Sequence, residues 1–393
     1  MTQVLLTLNA GSSSLKFAVF DRETLSETAQ ISGKFTGIGG APAFTARDET
    51  GAPLDNAELE TINADADHEQ LIARLFDWLE QHLGQMSLEA VGHRVVHGGR
   101  NFSVPTFIND EVLQELELLS PLAPLHQPHN LAAIRAVAKW RPGLPQIACF
   151  DTSFHRTQSR TAQLFALPRA LSDEGVVRYG FHGLSYDYIA GVLPQYLGDR
   201  AGGRVIVAHL GNGASMCAMH DRKSVATSMG FTALDGLMMG RRCGTLDPGV
   251  VLYLMQAKGM DAAEIENLLY RKSGLLGVSG VSNNMQVLQE SDDPHASEAI
   301  DLYCFRAASI LAGLVPSIGG LDALVFTAGI GENSALVRKN ICDRLAWLGL
   351  ELDSAENARD AACISQPQSR VKVLVLPTNE EAVVAKAWQN LLP

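Results

Sequence analysis

Short, dense apolar runs that end on glycine recur along the chain. Residues 205–208 read Val-Ile-Val-Ala and stop at His209, Leu210, Gly211, Asn212 and Gly213. β-Branched residues favour the extended backbone, and two glycines one residue apart let it turn and let an anion approach its amides. Residues 4–20 repeat that plan as a strand, a small polar turn at Ser12-Ser13-Ser14 and a second strand carrying Lys16. A third run, residues 323–337, passes through Gly329, Ile330, Gly331, Glu332 and Asn333 into a helical pattern. Three apolar runs that each end in amides and hydroxyls point to phosphate chemistry, although none closes with the Gly-Lys-Ser/Thr of a P-loop. The shared plan of the first two, in opposite halves of the chain, predicts an internal duplication facing a common cleft.

Elsewhere the periodicity changes. Leu71, Ile72, Leu75, Phe76, Leu79 and Leu83 follow the helical period and predict an amphipathic helix over 67–83. Helices are expected at 110–119 and 129–140, flanking a Pro-rich turn with Leu125 and His126. Further ones are expected near 250–258, 261–272 and 295–315, and a last one after 377, capped by Thr378 or Asn379. Residues 33–56 are glycine-rich, with short strands or a loop. Residues 92–100, Gly-His-Arg-Val-Val-His-Gly-Gly-Arg, read as a strand with Arg94 and Val96 on one face and His93 and His97 on the other. His93 and His97 have the spacing of a zinc pair only on a helix, so metal ligation by them is not the expectation. Residues 146–155 predict a buried strand with Asp151 at the C-terminal end of its apolar part, where a carboxylate suits a metal or phosphoryl group. His182 lies in a glycine-flanked loop ahead of a helix, and 224–249 form a long glycine-dotted loop with Arg241 and Arg242 adjacent. A loop of that length inside a compact domain is usually functional.

At 393 residues the chain is too long for one ordinary core, which predicts two domains. The formal charge of -12 argues against nucleic acid or an anionic membrane as partner. The six cysteines show no CxxC pairing and sit mostly in apolar runs, as in a reduced cytoplasmic protein. The opening residues read as a first strand and not a signal peptide. The longest apolar stretch, 307–321, is broken by Ser309, Pro316 and Ser317 and reads as a buried helix shorter than a bilayer span.

Taken in order, Asn-Ala-Gly-Ser-Ser-Ser-Leu-Lys-Phe (9–17), Gly-His-Arg-Val-Val-His-Gly-Gly (92–99), Pro-Leu-His-Gln-Pro (124–128), Phe-Asp-Thr-Ser-Phe-His (150–155) and Arg-Tyr-Gly-Phe-His-Gly (178–183) form a series. It continues with His-Leu-Gly-Asn-Gly-Ala-Ser (209–215), Thr-Ser-Met-Gly-Phe-Thr (227–232), Phe-Thr-Ala-Gly-Ile-Gly-Glu-Asn (326–333) and Pro-Thr-Asn-Glu-Glu (377–381). Nine such strings in this order resemble the acetate/propionate kinase family along essentially the whole chain. The resemblance implies an α/β protein of two duplicated ribonuclease-H-like domains, of the actin/sugar-kinase type, around a nucleotide cleft. Residues 1–150 and 380–393 would form a split N-terminal domain and 151–379 the nucleotide-binding and dimerisation domain. It implies reversible transfer of phosphate between ATP and acetate or propionate, giving ADP and the acyl phosphate, with Mg²⁺ or Mn²⁺, in a homodimer. Asp151, His182 and Arg242 would be catalytic, with His126 a supporting neighbour. Arg94 would bind the acid, whose apolar end Val96, Leu125, Phe181 and Ala233 would line. Asn9 and Glu380 would belong to the metal site. Lys16, His209, Leu210, Gly211, Asn212, Gly213, Asn284, Met285, Gln286, Gly329, Ile330, Gly331, Glu332 and Asn333 would hold the nucleotide.

Chemistry alone accounts for these residue types. A carboxylate nucleophile is already ionised at neutral pH and needs no general base, so arginine, a divalent cation and backbone amides dominate. Three departures from the family's pattern stand out: an extra Arg241 with Thr245 in place of Asp, Asn284-Met285-Gln286 in place of Asp-x-Arg, and Ala233 in place of Pro. They leave open a catalytically impaired binder of acyl phosphate or nucleotide. A non-catalytic actin-like protein would share the nucleotide cleft but would have no need of Arg94, His182 and Arg242 together.

Overall fold

The computed structural model describes residues 2–391 apart from 12–13, 25–26, 57–58, 60–61 and 64–65, so Ser12 and Ser13 of the first turn lie outside the described residues. The chain divides into two compact units, Met1–Phe154 with Asn379–Pro393, and His155–Thr378. The division after Phe154 lies four residues beyond the expected boundary, and Asp151 falls in the first unit.

The first unit is built on β1 (Thr2–Ala10), β2 (Ser14–Asp21), β3 (Ile31–Thr36), β4 (Ala43–Asp48), β5 (Met86–Val95), β6 (Thr106–Phe107) and β7 (Gln146–Phe150), in the order β4-β3-β2-β1-β5-β7-β6. β1 pairs antiparallel with β2 and parallel with β5, which pairs parallel with β7. β1 is apolar on both faces because both are covered. Val4, Leu6 and Leu8 share a core with Leu71, Ile72, Leu75, Phe76 and Leu79 of the helix His68–His82, each buried side chain stabilising by roughly 1.5–3 kcal/mol. That helix starts on a capping box made by Asp67 and Gln70. On the opposite face Ala18 and Phe20 of β2 pack against Ala385 of the final helix, Glu380–Leu391. A Cβ on Gly92 would fall 2.4 Å from Val384 Cγ1, so β5 has a glycine where this helix crosses it closely. Asn379 caps the helix, accepting from the Ala382 N–H at 3.0 Å.

The second unit carries β8 (Val205–Leu210), β9 (Ala214–His220), β10 (Lys223–Thr227), β11 (Ala323–Thr327) and β12 (Lys372–Val375), in the order β10-β9-β8-β11-β12. Here β8 pairs antiparallel with β9 and parallel with β11, which pairs parallel with β12. The series β10-β9-β8-β11-β12 thus repeats β3-β2-β1-β5-β7 in both order and direction. This is the duplication anticipated from the two similar turns.

Some elements differ from expectation. The strand expected to reach 155 ends at Phe150, and Ser153–Thr157 forms a 3-10 turn. The strand through Arg94 ends at Val95, leaving Val96 and His97 beyond it. The apolar stretch near 307–321 belongs to a 25-residue helix, Pro294–Ile318, long and apolar enough for a bilayer span by length and composition alone. Within the unit that helix buries Ile300, Tyr303, Cys304, Ala307 and Leu311.

Candidate active site

In the first unit, the parallel strands deliver their last residues to one edge of the sheet. Asn9 lies near the end of β1, Arg94 near the end of β5, and Asp151 directly follows β7. Arg94 closes a fork on Asp151, with Nε donating to Oδ1 at 3.0 Å and Nη2 to Oδ2 at 2.6 Å. Nη1 donates to Asn9 Oδ1 at 3.2 Å and lies 3.3 Å from Glu380 Oε2, to which Asn9 Nδ2 also donates. Asp151 is 1% exposed, so its charge depends on this partner. Burial opposes the charge on Arg94, but Asp151 and Glu380 outweigh it and hold its pKa above the ordinary value. Burial raises the pKa of Glu380; Arg94 opposes the rise, while Asp151 and Glu381 add to it. One guanidinium thus faces two carboxylates, and Glu380 is the one left short of positive charge.

Among the described residues there is no group of three or more His, Cys, Asp or Glu placed to hold a metal. The oxygen donors of Asn9 and Glu380 nevertheless suit a hard cation, which commonly takes only one or two carboxylates and completes its shell with water and substrate phosphates. The under-compensated Glu380 supports that fit. Lys16 lies opposite Asn9 in the strand register and offsets part of the same negative charge.

The walls around this edge are held from behind by α-helical side chains. Asn130, 2% exposed, accepts from the Val96 N–H at 2.9 Å and donates to the Ala10 carbonyl at 2.7 Å, tying the ends of two strands together. His93 shares a 2.7 Å hydrogen bond with Gln146, and burial pushes its pKa down to about 4. His97 Nδ1 accepts from the Gly99 N–H, and burial likewise pushes its pKa down to about 4. Both rings are therefore neutral, buried supports of the loop. Val96 is buried and Leu125 half-buried.

In the second unit, His182 occupies the left-handed region (φ 58°) at the start of the helix Gly183–Leu197. Its Nδ1 shares a 2.8 Å hydrogen bond with Ser215 Oγ, and its ring stacks on His209 at 4.3 Å. His209 in turn is held by Ser185 Oγ at 2.8 Å. The Gly211 N–H bonds the Gly213 carbonyl and closes the turn. A Cβ on Gly213 would sit 3.3 Å from His182 Nε2 and 4.0 Å from Arg242 Nη1, so two cation-capable groups converge over a residue with no side chain. Arg242 is half-buried and donates from Nη1 to the Ala233 carbonyl at 3.0 Å. Burial lowers its pKa, with Tyr270 pulling the other way. Arg241 is exposed. Thr245 donates to Asp235 Oδ1 at 2.8 Å, where a second carboxylate would meet like charge. Phe181 is fully buried and Ala233 half-buried.

Apart from Lys16, on β2 of the first unit, the nucleotide candidates also lie in the second unit. Asn212 is clamped by its carbonyl to the Gly240 N–H and by its side chain to Asn283 Nδ2. Leu210 and Met285 point into the core, which leaves only their backbones for a ligand. Asn284 is spent as a helix cap on the Gln286 N–H, and Gln286 donates to Glu290 at 2.9 Å. Residues 328–333 form one short helix after β11, with Ala328 at φ 65°. A Cβ on Gly329 would meet nothing within 4 Å, so its bareness leaves space open. Glu332 does not face outward. Its Oε1 accepts from the Ala328 N–H at 2.7 Å.

Residues 4–386 match the model of the acetokinase family. The chain belongs to the acetokinase family. Acetate kinase of Rhodopseudomonas palustris is 52% identical over 99% of this chain and 98% of its own length, and that of Methylocella silvestris is 49% identical over 100% and 98%. Among solved structures, a propionate kinase from Francisella tularensis aligns with TM-score 0.91 at 37% identity over 99% of this chain and all of its own. Porphyromonas gingivalis acetate kinase aligns with TM-score 0.86 at 35% identity over the whole of both chains. As an acetokinase-family protein the chain is a phosphotransferase and a short-chain carboxylate kinase, and its two duplicated α/β units have the architecture anticipated for it.

Sequence reasoning missed the supports of this acetokinase site. Asn130 carried no signal, and Ser215, although inside the 209–215 string, was given no role of its own, because both act through contacts between segments distant in the chain. Arg338, buried at 0% exposure, was not singled out either.

Proposed function

We propose that this acetokinase-family protein catalyses ATP + acetate ⇌ ADP + acetyl phosphate, with propionate as an accepted acid. The observation that carries the reading is the convergence of His182 Nε2 and Arg242 Nη1 over Gly213, a seat for a phosphoryl group charged on three oxygens. An acid oxygen attacks the γ-phosphorus of ATP and forms the new P–O bond. The bond to the β–γ bridging oxygen breaks, and its electron pair leaves with ADP. No proton moves in that exchange.

In this reading Asp151 is the organiser of Arg94. The fork of Arg94 is already closed on Asp151, so Arg94 offers the acid its remaining Nη2 N–H, a single bond and not a bidentate clamp. Val96, Leu125, Phe181 and Ala233 border the apolar end of the acid, and His126 assists nearby. Arg242, positioned by the Ala233 carbonyl, and His182, positioned by Ser215, hold the transferring group. Lys16, residues 209–213, 284–286 and 329–333 serve the nucleotide. Asn9 and Glu380 would hold Mg²⁺ or Mn²⁺, which when bound neutralises charge on the phosphate oxygens.

A homodimer is part of the proposal. The helix Pro248–Lys258 leaves Leu252, Tyr253 and Met255 about half exposed, and the helix Pro294–Ile318 does the same with Phe305. A groove of about 490 Å³ lined by Leu268, Val278, Leu302 and Ile310 adds apolar surface that a second copy would cover. The six free thiols suit a reducing, cytoplasmic setting. Incubation with ATP, Mg²⁺ and hydroxylamine against acetate, propionate and butyrate tests the reading. Acyl hydroxamate from acetate and propionate supports it, and nucleotide binding without hydroxamate from any acid would reduce the chain to a binder.

A further inference from the structure

Arg338 lies on the helix Ala335–Arg344, directly behind the short helix Ala328–Asn333, and all of its hydrogen-bonding capacity is turned toward that turn and its backing. A guanidinium has five N–H groups, and here five acceptors meet them. Nη1 donates to the Gly331 carbonyl at 3.0 Å and to the Glu332 carbonyl at 2.8 Å. Nε donates to Asn357 Oδ1 at 2.8 Å, and Nη2 to the Asn357 carbonyl at 2.7 Å and to Asp360 Oδ1. Asn357 also donates to the Ala335 carbonyl at 2.9 Å, so this partner of Arg338 is itself anchored. The side chain is 0% exposed, whereas Asp360, its counter-ion, reaches solvent.

This arrangement acts on one object. The carbonyls of Gly331 and Glu332 belong to the last turn of the Ala328–Asn333 helix, where they would otherwise lack intrahelical partners, and a buried cation there satisfies them and complements the helix end. At the other end Glu332 Oε1 takes up the amide of Ala328, whose left-handed backbone is costly for a residue with a side chain. The turn is therefore pinned at both ends while Gly329 faces open space.

We infer that Arg338 is a positioning residue for the nucleotide: it fixes the carbonyls of Gly331 and Glu332 so that the turn presents bare Gly329 and its neighbours to ATP in one conformation. Arg338 touches neither substrate. The inference rests on the assignment of residues 329–333 to the nucleotide, and the variants are chosen to separate the two.

Arg338→Lys keeps the charge but offers three donors on a point and cannot reach five acceptors arrayed around a planar fork. Asp360→Asn leaves Arg338 in place and removes only its exposed counter-ion, which makes it the variant that folds most readily. Gly329→Val places a side chain directly in the open space. Steady-state kinetics of hydroxamate formation and calorimetric ADP titration are the readouts. Arg338→Lys should raise the KM for ATP and the Kd for ADP about tenfold, the loss of roughly one charge-assisted hydrogen bond, with the KM for acetate changed less than about twofold. Asp360→Asn should move both nucleotide constants in the same direction by a smaller factor. Adding guanidinium at millimolar concentration to Arg338→Ala should restore part of the ADP affinity, which a general loss of stability would not allow. If Gly329→Val weakens ADP while Arg338→Lys and Asp360→Asn lower only the melting temperature, Arg338 is a core residue and the inference fails alone. If Gly329→Val also leaves ADP binding intact, the nucleotide assignment itself fails and takes the inference with it.

Discussion

Removing Arg94 should cost stability before it costs substrate binding. In Arg94→Ala, the 3.0 and 2.6 Å bonds to Asp151 disappear and leave a carboxylate that is 1% exposed without its cation. Each charge-assisted bond contributes roughly 1.5–3 kcal/mol, and breaking one side of a buried pair costs about 3–5 kcal/mol. Both partners are mostly buried, at 18% and 1% side-chain exposure, so solvent screening removes little of this. Loss of the contacts to Asn9 and Glu380 adds to it, so the total should reach at least about 3–5 kcal/mol. Asp151→Ala alone should cost less, because Arg94 then keeps Glu380 as its counter-ion. The double variant Arg94→Ala/Asp151→Ala removes both charges and should recover about 2 kcal/mol or more relative to the sum of the singles. Urea unfolding of the four proteins, followed by far-UV circular dichroism, measures the coupling. A cost below about 1 kcal/mol for Arg94→Ala, with additive losses in the double variant and a raised KM for acetate alone, would overturn the clasp and make Arg94 a free substrate ligand.

Three further outcomes follow from the same geometry. Arg242→Ala should lower kcat by about 10²–10³-fold with ADP affinity retained, whereas exposed Arg241→Ala should stay within about threefold; the reverse order in steady-state kinetics would refute the register of this loop. Glu380 has a raised folded pKa, so the folded state holds its proton more tightly than the unfolded one. Its contribution to stability is present below the ordinary carboxylate range and is lost as pH rises through the folded value. Glu380→Gln should therefore flatten the fall in stability as pH rises above the ordinary carboxylate range, and thermal shift titration should show that it no longer gains from added Mg²⁺. Ala233→Pro should narrow the acid preference, shifting kcat/KM for propionate over acetate by about tenfold toward acetate, the usual worth of one methylene at a wall; an unchanged ratio removes Ala233 from the acid pocket.

What could be read in the chain was whatever a few neighbouring residues decide. The run Val205–Leu210 with its glycine turn, the amphipathic helix that opens after Asp67 and the Asn379 cap are local, and local chemistry fixes them. The strand-turn-strand likeness of the two halves was enough to expose the duplication, since each apolar run needs the same two neighbours to cover it. The clasp was not legible in that way. Arg94 and Asp151 are 57 residues apart and meet only because β5 and β7 align with Arg94 beside Cys149. Arg338 carried no signal for a related reason: its neighbours on the helix are Lys339 and Asn340, and nothing within one turn announces that five acceptors wait behind it.

The balance of charge in the first unit bears on how an acid reaches its site. Arg94 is matched by Asp151, which leaves Glu380 as a surplus negative group, with Lys16 offsetting only part of it. In the proposed reading, a carboxylate approaching this edge meets repulsion before it meets the remaining Nη2 N–H of Arg94. Neutralising Glu380 is therefore a condition for binding the acid, whether by a proton or by a hard cation on the oxygens of Glu380 and Asn9. The two means differ in pH dependence: a proton on Glu380 is lost as pH rises through its raised value, whereas a cation can still neutralise the group above it. In the proposed reading the cation extends acid binding to pH values at which Glu380 has lost its proton, so there the KM for acetate should fall as Mg²⁺ rises even with the nucleotide site saturated.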